Sequence, residues 1–387
     1  MFRACGVLLQ FVILKFRERD AAKLGRLALV AGGMLGLLVV PAASGSTSSV
    51  TSTGGRTDGL TAYVTNAADL GKAPGMGTVI PINLTRHMPG APIDVGQGAG
   101  TDDIVVTPDG KTGYVTSEDT DTVTRIDLAT GKLGKPITVG AKPVAIAFVP
   151  KTHDRWAWVA NYKGQTVSTI NLATGRLGHT IAVPHIGPNT IAFTPDGRTC
   201  YVANWGTTAA AGSTVTPIQV KNGGATGRVL RSIKVGLHPN WVAITKDGRT
   251  AYVANKGSNS VTPINVANNS AGRAIRVPGP AIQMEIAPNG KTAYVAIAGS
   301  SPEVDEVIPM RLTSTRAKVG RPIHLRAKSQ PHWIAFTPDG KTAYVVGNGN
   351  GTVTPITVAS GKPGTPIKAS NDPDSDILSI AIAPTQK

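Results

Sequence analysis

The feature that most limits what this chain can fold into is a four-part phrase that returns seven times. Its clearest form is Thr337–Ile356, TPDGKTAYVVGNGNGTVTPI: a Pro-Asp-Gly turn, a Tyr-Val run, a Gly/Asn loop and a Thr-Val-Thr-Pro-Ile run. An aromatic-Val column recurs at Tyr63, Tyr114, Trp158, Tyr201, Tyr252, Tyr294 and Tyr344, and takes six of the seven tyrosines. A second column follows it, from TVIPINL at Thr78 to TVTPITV at Thr352. A third precedes it, as in Ile146-Ala-Phe, Ile334-Ala-Phe and Ile380-Ala-Ile, and a fourth is a short PI-x-V type run near Pro92, Pro136, Pro322 and Pro366. Each run alternates apolar with polar or is rich in β-branched residues, and Gly, Pro, Asn and Asp separate them. That is a strand-and-turn pattern. Nothing after residue 60 has a helical period over a helical length.

Four strands in a unit of about 40–50 residues match one propeller blade. The expected fold is therefore all-β: a seven-bladed β-propeller of four-stranded antiparallel blades over residues 60–387. The first Tyr-Val run (Thr61–Asn66) has no Ile-Ala-Phe run before it, and the last such run (Ile380–Ala383) has no Tyr-Val run after it. The C-terminal strand should join the N-terminal blade, pairing edges that an open sheet would expose. Two features conflict locally with this reading. Five third strands carry Pro (Pro81, Pro217, Pro263, Pro309, Pro355), which a central strand tolerates only at a bulge or where no N–H is needed. Glu285 interrupts the small-residue column Ala147, Ala192, Ala243, Ala335 and Ala381, so it should be salt-bridged or face the channel; a structural pair is the preferred expectation.

Residues 1–43 stand apart from the repeat. A basic region with Lys15, Arg17, Arg19, Lys23 and Arg26 precedes the apolar run Leu27–Pro41, followed by small residues. This predicts a signal peptide, with an N-terminal membrane anchor as the alternative. Residues 44–59 are Ser/Thr/Gly-rich and read as a linker. The expected location is secreted or cell-surface. Cys5 lies in the export segment and Cys200 in a predicted strand, so no disulfide framework is available.

The phrases AYVTN (62–66), AYVAN (251–255), TPDGKTAYV (337–345) and INLATGRLG (170–178) resemble the YVTN-type β-propeller repeat family, and more distantly lactonase-type propellers. The resemblance covers essentially everything from residue 60 onward. It departs from the motif at Ser117, Ile297 and Gly347, where Asn would fall, and at Trp158 in place of Tyr. It implies surface or exported propellers, with a lactonase as the enzymatic member of the set.

The net charge is +16; residues 1–43 hold six Lys/Arg and two Asp/Glu, which leaves +12 on the remainder. Strand alternation sorts this charge onto two faces. The turn face collects Lys111, Arg198, Arg249, Lys291 and Lys341, while the loop face collects Asp102, Asp103, Glu118, Asp119, Asp121, Asp372, Asp374 and Asp376. Such a charge draws anionic partners, so a cell-wall or envelope polymer or a protein is the expected partner. Nucleic acid is disfavoured, because the aromatics are committed to the repeat and leave no stacking platform. Membrane contact would run only through residues 27–43, and a monomer is expected.

The longest inserts, Ala67–Gly77, Trp205–Ser213 and Ala298–Asp305, fall on the loop face, where repeat proteins often bind. Residues just before each inner strand should converge at the channel mouth. The candidate ligand-binding set is Asp102, Asp103, Asn189, Asn240, Trp241, Gln283, His332 and Trp333, suited to a small polar ligand through stacking and a few hydrogen bonds. No catalytic residue is assigned, and no metal or cofactor is expected: Ile377 and Ala383 stand where an EF-hand would need Gly and Glu, and His185, His238 and His332 lack ligand spacing. HExxH, GxSxG, Walker and CxxC motifs are all missing. The preferred functional expectation is an exported, non-catalytic binding or scaffold propeller. The alternative is a lactonase-like hydrolase with acids and His332 at the channel mouth.

Overall fold

The computed structural model describes residues 59–67, 76–97, 100–153, 155–299, 305–313, 317–370 and 376–385. The expected leader, nearly all of the linker, much of two inserts, and Asp372 and Asp374 lie outside the described residues. The rest forms seven antiparallel sheets in a ring. Blade 2 spans residues 101–138, blade 3 143–182, blade 4 188–234, blade 5 239–276, blade 6 281–324 and blade 7 331–368. Within each, the four strands pair in sequence order from the inside outward. Blade 1 is composite: Leu60–Asn66, Met76–Asn83 and two short outer strands are completed by the C-terminal strand Ile377–Pro384. In that pairing Tyr63 lies opposite Ala381 and Val64 opposite Ile380. The seven-bladed fold and its closure are as the columns imply.

The columns have a packing reason. In five blades the second-strand aromatic sits across from an inner-strand Ala: Tyr63 opposite Ala381, Trp158 opposite Ala147, Tyr201 opposite Ala192, Tyr252 opposite Ala243 and Tyr344 opposite Ala335; Tyr114 faces Val105 and Tyr294 faces Glu285. The ring then reaches the next blade. Tyr114 meets Phe148 of blade 3, Trp158 meets Phe193 of blade 4 and Tyr294 meets Phe336 of blade 7, with centroids 6.0, 5.2 and 5.2 Å apart. The Trp158 indole also donates to the Gly224 carbonyl at 2.7 Å, and the Tyr201 hydroxyl to Asn269 Oδ1 at 2.6 Å. These two aromatic rings with a polar tip thus bind blade to blade with their donors satisfied.

The Asn that closes the aromatic motif has its own task. Asn161 Nδ2 donates to Thr166 Oγ1 and Ser168 Oγ, both at 2.9 Å; Asn204 and Asn255 do the same to hydroxyls of their third strands. The Asn161 and Asn255 amides fit only because a glycine passes close by. A Cβ on Gly140 would come within 2.5 Å of Asn161 Nδ2, and one on Gly236 within 2.6 Å of Asn255 Cγ.

The third-strand prolines need no bulge. Each keeps regular register with its tyrosine, as Pro263 opposite Tyr252 and Pro355 opposite Tyr344. Their carbonyls accept outward, from Gly90, Leu230, Gly272, Gly320 and Gly364 at 2.7–2.9 Å. A strand residue's N and O point to the same side, so the missing N–H faces the outer strand, which is broken there into two short pieces. Blade 3 has Thr169 at this position, and its outer strand Arg176–Ala182 runs unbroken past a register shift.

Closure by the last strand carries a stability prediction. Ile380 is fully buried, so Ile380→Ala should cost about 2–5 kcal/mol. The same change at half-exposed Ile186 should cost well under about 1 kcal/mol. Urea midpoints of the two variants check this.

Candidate functional site

Every inner strand opens with a register shift against its neighbour, and the extra residue is re-aimed by it. The shifts fall at 101/104, 143/145, 188/190, 239/241, 281/283, 331/333 and 377/380. The eight candidate residues all sit in or beside these bulges and are almost wholly buried. Several reach the backbone of the next blade. Asn189 Nδ2 donates to the Asn240 carbonyl at 3.2 Å, Asn240 Nδ2 to Ile282 O at 2.7 Å and Gln283 Nε2 to Ile334 O at 3.2 Å. Asp103 accepts from the Ile146 amide at 2.8 Å and from Ser379 Oγ at 3.2 Å. His332 is directed at the Leu378 carbonyl without reaching hydrogen-bond geometry. The polar residues therefore form most of a belt that ties inner strands together around the mouth.

Trp241 and Trp333 come from blades 5 and 7, which are not neighbours, yet their rings meet edge to face at 4.8 Å. They meet inside the channel and fill it. Glu285, expected to be salt-bridged, has no ion pair among the described residues; it is half-buried and accepts a long hydrogen bond from Gln283 Nε2 at 3.4 Å. Desolvation raises its pKa well above the usual carboxylate range.

Asp102 differs from the rest of the set. Its bulge turns the carboxyl toward Glu118, at the end of the second strand of blade 2, and Oδ2 is buried with no donor among the described residues. Burial first, then the Glu118 charge, raises the Asp102 pKa well above its ordinary value; the Lys142 ammonium opposes this. Lys142 Nζ lies 3.0 Å from Glu118 Oε2, and both side chains are about one-fifth exposed, at 20% each. The lysine is held in the left-handed region, φ 55°, where its amide donates to Asp121 Oδ1 at 2.7 Å. Asp121 is itself left-handed at φ 56°. Non-glycine residues are strained there, and the strain fixes an acid–acid–amine cluster at a partly open position. Burial favours the neutral form of the Asp102 carboxyl, and a second carboxyl, Glu118, lies beside the Lys142 cation, an arrangement that supports acid–base chemistry.

Glu118 was legible only as one acid among many on the loop face, and Lys142 carried no signal beyond the Lys-Pro start of a strand. The three histidines are separate: His185 Nε2 lies 3.0 Å from Ser232 Oγ, His238 stacks on Trp205 at 4.3 Å, and His332 is buried in the belt. The insert after Trp205 lengthens a hairpin, with strands Thr199–Gly206 and Ala211–Lys221. Asp376 is directed at the Asn348 amide, and burial raises its pKa.

His332 yields a signed pH prediction. Desolvation lowers its pKa to about 3, against about 6.5 unfolded. Between these values the unfolded chain binds the extra proton, so this stability is present above about pH 6.5 and lost as pH falls toward 3. Lowering pH from 7 to 4 should therefore destabilise the wild-type protein relative to His332→Gln by on the order of 2–3 kcal/mol. Urea unfolding of both proteins at the two pH values measures it. The comparison also cancels the opposite trend of buried carboxyls such as Asp103, whose raised pKa favours the folded state at low pH.

Among curated proteins no sequence matches the chain. Several solved structures share its fold. Hydrazine synthase from Kuenenia stuttgartiensis superimposes with a TM-score of 0.62 at 22% identity, over 74% of this chain and 90% of that one. A putative 6-phosphogluconolactonase from Bacteroides fragilis gives 0.67 at 16% identity, over 85% and 99%. The periplasmic gluconolactonase of Pseudomonas aeruginosa gives 0.67 at 16% identity, over 84% and 100%. These likenesses establish the fold alone. The sequence adds more: residues 83–273, just under half the chain, match the family model described as Lactonase, 7-bladed beta-propeller. That match overturns the expectation of a non-catalytic binding or scaffold module and favours the lactonase-like alternative; the matched stretch, which includes Asp102, Glu118 and Lys142, carries the sequence pattern of lactonase-type seven-bladed propellers.

Proposed function

We propose that this protein is a lactone hydrolase whose active site is the Asp102–Glu118–Lys142 cluster on the loop face. The observation that carries the reading is the match of residues 83–273 to the lactonase propeller model. The cluster gives that chemistry a place within the matched stretch. The repeat phrases support a YVTN-type propeller within that fold, and the basic-then-apolar leader supports export.

Hydrolysis of a cyclic ester needs a base for water, a positive group near the developing oxyanion and an acid for the leaving oxygen. Glu118, beside the Lys142 ammonium, takes a proton from water as the water oxygen bonds to the lactone carbonyl carbon. The negative charge moves to the carbonyl oxygen, next to the Lys142 ammonium. When the tetrahedral intermediate collapses, the bond to the ring oxygen breaks and protonated Asp102 supplies that oxygen with its proton. Transfer of a proton from Glu118 to Asp102 restores the starting state, and one water has been added to give a hydroxy acid. His332, with a pKa of about 3, is too weak a base to share this work at neutral pH. Asn189, Asn240 and Gln283 spend their amides on the neighbouring blades and Trp241 and Trp333 meet inside the channel, so these residues act as the frame around the mouth.

The test is turnover of a panel of sugar-derived δ- and γ-lactones by the purified protein, read by proton release over the spontaneous rate. Glu118→Gln and Asp102→Asn should each lower kcat/KM by on the order of 100-fold or more, whereas Asp119→Asn should stay within a few-fold. Wild-type turnover no faster than background across the panel, or full activity in both variants, would sink the assignment.

A further inference from the structure

Blade 6 departs from the repeat at three positions, and all three departures meet at one edge of the turn face. In blades 2, 4, 5 and 7 the first turn carries an acid: Asp109, Asp196, Asp247 and Asp339. Each accepts from a Thr hydroxyl at 2.6 Å and from the amide of the Lys or Arg that follows the glycine. Blade 6 has Ala287 for the Thr and Asn289 for the Asp. Asn289 Oδ1 still accepts from Lys291 N at 2.8 Å and Thr292 N at 3.0 Å. The turn is kept and only its negative charge is removed.

The third departure lies across the sheet. The third strands of the other blades place Asn83, Asp127, Asn171, Gln219, Asn265 and Thr357 at the position where blade 6 places Arg311. Arg311 pairs in register with Thr292 on one side and Lys318 on the other. Two cations directly opposite in a sheet repel, and Lys291 adjoins them. All three are exposed, and none forms an ion pair with a carboxylate among the described residues. Between them lies a cleft of about 320 Å³, floored by Pro309 and Val319. The other blades serve as internal controls: the same scaffold exists there without this concentration of charge.

We infer that this cleft is an oxyanion site that takes a phosphoryl group, with the Arg311 fork and the Lys291 and Lys318 ammoniums as its donors. A guanidinium presents paired N–H groups to two oxygens of a tetrahedral anion, and a dianion neutralises the repulsion that blade 6 otherwise carries. The site is on the opposite end of the strands from Asp102 and Glu118, so it stands whether or not the lactonase reading does.

The experiment is phosphorus NMR of inorganic phosphate and of glycerol phosphate with the full chain at fixed ionic strength, alongside thermal unfolding with and without phosphate. Wild-type protein should broaden the phosphate signal. Arg311→Asn and Asn289→Asp, which restore residue types found in other blades, should weaken binding at least tenfold, and Lys341→Ala at the matching turn of blade 7 should not. Arg311→Asn should also be the more heat-stable protein in phosphate-free buffer and gain nothing from phosphate. Tighter binding of glycerol phosphate than of phosphate would identify a phosphorylated polyol as the ligand class; equal binding would identify free phosphate. Broadening that is absent in the wild type, or the same in Arg311→Asn as in Lys341→Ala, would overturn the site in favour of diffuse charge.

Discussion

The contact on which the structure depends is the aromatic ring that each second strand lays against the following blade. A four-stranded sheet of this size leaves both faces apolar, and neither is stable in water alone. Tyr114 on Phe148, Trp158 on Phe193 and Tyr294 on Phe336 bury those faces pairwise. The ring needs room on its own sheet, so the residue opposite is Ala in most blades. The last gap is closed because Ile377–Pro384 pairs with Leu60–Asn66, which turns a stack of sheets into a ring without free edges at the joint.

The same geometry makes the channel mouth. Inner strands that converge on an axis leave little space, and each begins with a bulge that turns one side chain out of the ladder. Most of the turned residues spend their hydrogen bonds on the next blade, as Asn189 and Asn240 do. At blade 2 the bulge places two acids in succession. Asp103 joins the belt, and Asp102 instead meets Glu118 and Lys142. A structural device shared by all seven blades thus becomes chemically distinct where the residue placed in it has no backbone partner to satisfy it.

How far the sequence could be read varied with the range of the interaction. The blade count, strand order and closure were legible because they rest on periodicity and turn chemistry, which are local. The prolines were legible as a conflict, and its answer, a broken outer strand, lay one strand away. Glu285 was legible as an anomaly, but the expected ion pair is not there among the described residues; a glutamine two residues before it supplies a long hydrogen bond instead. The residues of the mouth were legible as one recurring position, although they stand within the first residues of the inner strands and not before them. Their tasks were not, because Trp241 and Trp333 meet across a blade that separates them in sequence.

By itself, then, the sequence determined a sevenfold β architecture, its aromatic–small core pattern and two faces of different charge. Each follows from which residue types recur at a fixed spacing. Only the tertiary structure decided that Asp102 and Glu118 come together beside Lys142, and that Lys291, Arg311 and Lys318 fall at one cleft. Those arrangements join residues on different strands, and one of them crosses into the next blade. Their charges take on chemical meaning only at the short separations that strand pairing and the closed ring impose.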